Sequence, residues 1–71
     1  MSRNVILNIG DTIKYSGECT GIIEKIRIIS TGNYIEQYEY NGNGEDIVLT
    51  LRNDHGITNL WLKDTSISKI F

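Results

Sequence analysis

Proline is missing from this chain altogether, cysteine occurs once, and no apolar stretch approaches the roughly 20 residues that span a bilayer. Without proline no strand interior is interrupted, and exposed sheet edges lose one of their usual blocks against pairing with a neighbour. The single Cys19 excludes an intrachain disulfide framework and fits a reducing compartment. The opening Met1-Ser2-Arg3-Asn4 leads into no signal-peptide core, so the expectation is a soluble, cytoplasmic protein without membrane association. A surplus of one charge is lacking too. Seven basic against nine acidic residues leave a formal charge of -2, too little to draw nucleic acid or an anionic membrane by a global field. Helical periodicity, internal repeats, linkers and low-complexity segments are also absent, which leaves strands and turns as the material of the fold.

What the chain does have is isoleucine, with asparagine frequent beside it. Ile is β-branched and suits a pleated, half-buried surface. The same vocabulary fits the coding bias of an AT-rich genome, such as that of a low-GC bacterium or a bacteriophage. The length allows one domain, 1–71, stable by roughly 3–5 kcal/mol.

The stretch from Gly10 to Ile29 organises the rest. Gly10-Asp11 opens a turn; Ile13 and Tyr15 then alternate with Thr12 and Lys14, the period of a half-buried strand. Beyond Gly17 and Gly21 the apolar positions fall on Ile23, then on Ile26 and Ile28, a slip of one residue. Such a slip marks a bulge or sharp bend, as needed where one strand serves two sides of a small barrel. Ahead of this, Val5, Leu7 and Ile9 make residues 1–9 an extra strand or an extended arm. Behind it, Ser30-Thr31-Gly32-Asn33 is a turn, and residues 34–40 alternate as one edge strand with Tyr34, Tyr38 and Tyr40 on a common face. Asn41-Gly42-Asn43-Gly44 carries the preferred pair of a type I′ hairpin. Ile47, Leu49 and Leu51 then face inward, with Val48, Thr50 and Arg52 outward. Asn53-Asp54-His55-Gly56 is a second hairpin loop, residues 57–62 the next strand, Lys63-Asp64-Thr65-Ser66 a single 3-10 turn, and Ile67 to Phe71 a short closing strand. The sum is an all-β barrel of five to six antiparallel strands in which Ile13, Ile23, Ile26, Leu49 and Leu51 share one interior.

This order of parts resembles the SH3-like small-barrel superfold. Gly10-Asp11-Thr12-Ile13 followed by Gly21-Ile22-Ile23-Glu24-Lys25-Ile26 looks like the KOW-type opening of such barrels, and Leu60-Trp61-Leu62 through Ser66-Ile67-Ser68-Lys69-Ile70 looks like the closing segment of Tudor-like barrels. The resemblance covers about residues 10–71 and implies a fold rather than an activity.

The candidate binding set is aromatic: Tyr15, Tyr34, Tyr38, Tyr40 and Trp61. Rings grouped on a barrel rim stack on bases, hold a cation or form a peptide groove. The plainer reading is cross-strand pairing for the tyrosines and a core cap for Trp61. Glu36, Glu39, Glu45 and Asp46 beside the tyrosines would suit a basic partner. Nothing points to a catalytic centre, cofactor or metal: Asp54-His55 reads as a hairpin tip, and Cys19, with no helix N-terminus near it, as an inert small residue. The expectation is therefore a non-enzymatic module that binds another protein through the tyrosine face and the loops at 30–34, 41–46 and 53–56. The alternative is a nucleic-acid-binding barrel using Lys14, Lys25, Arg27 and Arg52, which with Lys69 could line up on neighbouring strands. A monomer or a homodimer fits either reading.

Overall fold

The computed structural model describes residues 5–41, 44–64 and 67–70. Eight antiparallel strands make up the described fold: β1 (Val5–Asn8), β2 (Thr12–Tyr15), β3 (Cys19–Ile28), β4 (Tyr34–Ile35), β5 (Gln37–Tyr40), β6 (Ile47–Asn53), β7 (Gly56–Trp61) and β8 (Ile67–Ile70), with a 3-10 turn at Leu62–Asp64. The main sheet runs β7-β6-β3-β2-β8, with β4 also on β3, while β1 and β5 form a separate two-stranded ribbon.

β3 holds this arrangement together because it bends. Its pairing with β6 slips between Ile23 and Lys25, which leaves Glu24 as the extra residue of a bulge. The slip carries the inward face from Ile23 to Ile26, and both are buried. One edge of β3 consequently has two partners: β2 along Cys19 to Ile22, then β4 along Ile26 and Arg27. The β2–β3 connection is tight, with φ of 48° at Ser16 and 82° at Gly17, the left-handed pair that a primed hairpin turn requires.

Ile13, Ile23, Ile26, Leu49 and Leu51 are all buried, joined by Leu7, Tyr15, Ile47, Leu60 and Leu62. Gly21 sits where β3 lies tight against β6, since a Cβ there would lie 3.1 Å from Leu51 Cβ and 3.3 Å from the Arg52 carbonyl oxygen. The Gly10 turn is fastened by side chains. The Asp11 carboxylate accepts from the Asn8 backbone N–H at 2.9 Å and meets Lys69 Nζ at 3.0 Å, while the same ammonium donates to the Ile6 carbonyl.

Three sequence expectations change. Residues 34–40 are not one edge strand, because Glu36 is a bend and the halves pair with different neighbours: β4 with β3, β5 with β1. Ile35 and Tyr38 both turn toward the core, a spacing of three that an unbroken alternating strand cannot give. The segment after Asn41 does not fold back on β5, since β6 takes β3 and β7 as partners instead; Gly42 and Asn43 lie outside the described residues. Ile9 leaves the Val5–Leu7 face and is exposed, because the turn into β2 has already begun there. Met1 to Asn4, Thr65, Ser66 and Phe71 also fall outside the described residues.

Candidate functional site

The bend at Glu36 takes the tyrosine face apart. Tyr34 stands 60% exposed on β4 opposite Arg27, whereas Tyr38 and Tyr40 sit on the ribbon opposite Leu7 and Val5 and pack against the core. Burial pushes the Tyr38 hydroxyl above its ordinary pKa, with Tyr40 and Asp46 adding to the rise. Tyr15 is a core residue. It is buried, and its hydroxyl oxygen accepts from Asn53 Nδ2 at 3.1 Å. Of the five aromatic candidates, Tyr34 and Trp61 are the ones the fold presents at the surface.

These two are brought onto one line by the pairing register. Tyr34 faces Arg27, Arg27 faces Val48, and Val48 faces Trp61, so the four form one row across β4, β3, β6 and β7. Directly paired residues point to the same side of a sheet, and here that side is the outer one, because the alternate residues Ile26, Leu49 and Leu60 are buried. Three strand spacings put the two aromatic residues about 14 Å apart. Beside this row lie Lys25, Thr50 and Asn59, paired in turn, with the Thr50 hydroxyl donating to Asn59 Oδ1 at 3.0 Å.

Both rings carry a lysine. Lys25 Nζ is 5.4 Å from the Tyr34 ring centroid and Lys63 Nζ 5.1 Å from that of Trp61. Trp61 is 43% exposed, and its orientation is fixed by the indole N–H, which donates to the Glu45 carbonyl at 2.8 Å. A depression of about 320 Å³ opens beside Tyr34, lined by Ile9, Ile26 and Ile35 with Glu24 and Glu36 at its margin.

Charge is sorted between the sheet and everything else. The strands of the main sheet contain Lys14, Lys25, Arg27, Arg52 and Lys69 but a single carboxylate, Glu24. Glu24 pairs with Arg52, and Lys69 with Asp11. Among the described side chains no carboxylate forms an ion pair with Lys25, Arg27 or Lys63. The remaining acids lie in turns or on the ribbon, and Asp46 is occupied by the Ser30 N–H and hydroxyl at 2.9 and 2.6 Å. A chain of net charge -2 thus presents a basic sheet face.

A second hollow, about 540 Å³ and open, lies between the β2–β3 turn and the β6–β7 hairpin, with Cys19, Asp54 and His55 on its wall. The Asn53 side chain on its wall is engaged in the hairpin itself: Asn53 Oδ1 accepts from the His55 N–H at 2.8 Å, and Asn53 Nδ2 donates to the Tyr15 and Thr58 hydroxyls. Among the described residues no three of His, Cys, Asp and Glu converge to hold a metal ion, and no helix is long and apolar enough to cross a membrane.

Sequence reasoning named Tyr34, Trp61, Lys25 and Arg27 separately, under two different hypotheses, and left Lys63 out. The β6–β7 loop length alone would have placed Trp61 opposite Val48, and the 28–33 turn would have placed Tyr34 opposite Arg27. The remaining pair, Arg27 with Val48, joins distant segments and has no local signal. No family model, curated protein or solved structure matches the chain.

Proposed function

We propose that this chain is a non-enzymatic binding module of the small SH3-like barrel kind, working through the outer face of β3, β6 and β7 and taking a negatively charged partner. The observation that supports this is the row Tyr34-Arg27-Val48-Trp61, flanked by Lys25 and Lys63 on a sheet whose strands contain one carboxylate. The reading relocates the binding surface. The tyrosine face with its acidic neighbours suited a basic partner, but two of those rings lean into the core and the exposed pair lies amid cations. Oriented cations around preformed aromatic contacts supply attraction at long range and a defined seat at short range.

The test is titration with polyanions at low ionic strength, poly-glutamate and an oligonucleotide in parallel, followed by the emission of the single tryptophan, Trp61. A saturable change that Arg27→Glu abolishes and Glu39→Gln leaves intact is the expected result. Absence of a response to both polymers overturns the proposal.

A further inference from the structure

We infer that the partner is a single-stranded nucleic acid laid across the sheet from β4 to β7, with one base stacked on Tyr34, another on Trp61, and the intervening phosphates met by Lys25, Arg27 and Lys63. This rests on the anionic-partner reading above and specifies its chemistry. Three features select it over an acidic protein. First, the two exposed aromatic residues stand three strand spacings, about 14 Å, apart along the backbone, with Arg27 and Val48 between them and Thr50 and Asn59 alongside. A protein interface concentrates its apolar anchors in a dry centre, whereas a nucleotide strand offers flat apolar faces at intervals joined by charge. Second, each ring has an ammonium over one face, within 5.4 Å of its centroid, so a base that stacks there displaces the ammonium toward the phosphate the base brings with it. Third, the Trp61 indole is held by its bond to the Glu45 carbonyl, so little side-chain freedom remains to be lost on stacking.

A single strand fits and a duplex does not. Stacking needs an exposed base face, which a duplex keeps between its neighbours, and the row offers no protruding helix or ribbon to enter a groove. The hydroxyl of Thr50 and the amide of Asn59 lie beside the row, where they would meet backbone or base edges without imposing a strict sequence. The footprint is a few nucleotides, at the short end of what one small barrel covers.

The experiment uses the full chain and labelled oligothymidylate, single-stranded and as a duplex with oligoadenylate, with poly-glutamate as the competing polyanion. Trp61 emission should be quenched on binding the single strand. Affinity should fall with salt at a log–log slope on the order of 2, as three phosphate contacts would give. Tyr34→Ala should weaken binding roughly tenfold without changing the fold, since that ring is mostly exposed. Trp61→Phe keeps a stacking face if Trp61→Ala proves unstable, and should weaken binding less than Tyr34→Ala does. Arg27→Gln should lower the salt slope by about 0.7. Duplex bound as tightly as single strand, or an affinity indifferent to Tyr34→Ala, overturns the inference. Binding of poly-glutamate with no binding of the oligonucleotide overturns it too, yet leaves the anionic-partner reading standing. Failure of both polymers removes the two together.

Discussion

Gly44 is a residue that admits no side chain. It is buried, and a Cβ built on it would collide with Leu62 Cβ and lie 3.2 and 3.3 Å from Leu62 Cδ1 and Cγ. The colliding atom is next to the backbone, so a rotamer change of Leu62 gives no relief and the chain itself has to move. Gly44→Ala should cost about 1–3 kcal/mol in urea denaturation, and Leu62→Ala should not rescue it, because alanine keeps the offending Cβ. Asp11 supplies the other single-residue case. Its carboxyl is held below the ordinary value of 3.8, first by the Asn8 backbone N–H and then by the hydrogen bond from Lys69. A carboxylate with a lowered folded pKa stabilises the protein above the unfolded value and loses that contribution as pH falls through the folded one. Asp11→Asn should therefore destabilise by about 1–2 kcal/mol at pH 7. The gap to the parent protein should narrow steadily below about pH 4, which denaturation series at the two pH values would read directly.

Among the elements, the β1–β5 ribbon has one fully buried side chain, Leu7. A two-stranded ribbon is marginal by itself, and this one is anchored by Leu7, which is fully buried, with Val5, Tyr38 and Tyr40 packed around it. Leu7→Ala should cost about 2–5 kcal/mol and expose the amides of β1 and β5 to hydrogen exchange ahead of the main sheet, whereas Ile6→Ala, on the exposed side, should leave both measures nearly unchanged. The elements also show what could be read from the chain and why. Glycine-marked hairpins and the isoleucine phase slip are local, and they revealed the β2–β3 and β6–β7 turns, the bend and five of the core residues. The break at Glu36 was hidden because Tyr34-Ile35-Glu36-Gln37-Tyr38-Glu39-Tyr40 alternates well enough on paper; the interruption comes from two competing partners, β3 and β1, far away in sequence. The site was half legible for the same reason. Its residues were visible, but the row joining them runs through a non-local register between β3 and β6.

At the level of the whole molecule, net charge is a poor guide to what the surface offers. Acids in the turns and on the ribbon outweigh the bases in number, while the sheet strands keep the bases together. Neutralising a ribbon acid, as in Glu39→Gln, should raise the isoelectric point yet alter polyanion affinity less than twofold at 0.15 M salt, because the ribbon charge is largely screened at that ionic strength. Arg27→Gln shifts the isoelectric point the opposite way and should reduce affinity severalfold; electrophoretic mobility and binding isotherms on the same samples separate the two quantities. The bulge at Glu24 has a consequence of another kind. Excising that one residue would leave Ile23 and Ile26 inward and Lys25 and Arg27 outward in unbroken alternation, so a hydropathy plot would register almost no injury. The corner would nevertheless be gone, leaving a stiff plank where the molecule has an elbow and nothing to bring β2 and β4 along the same edge of one strand.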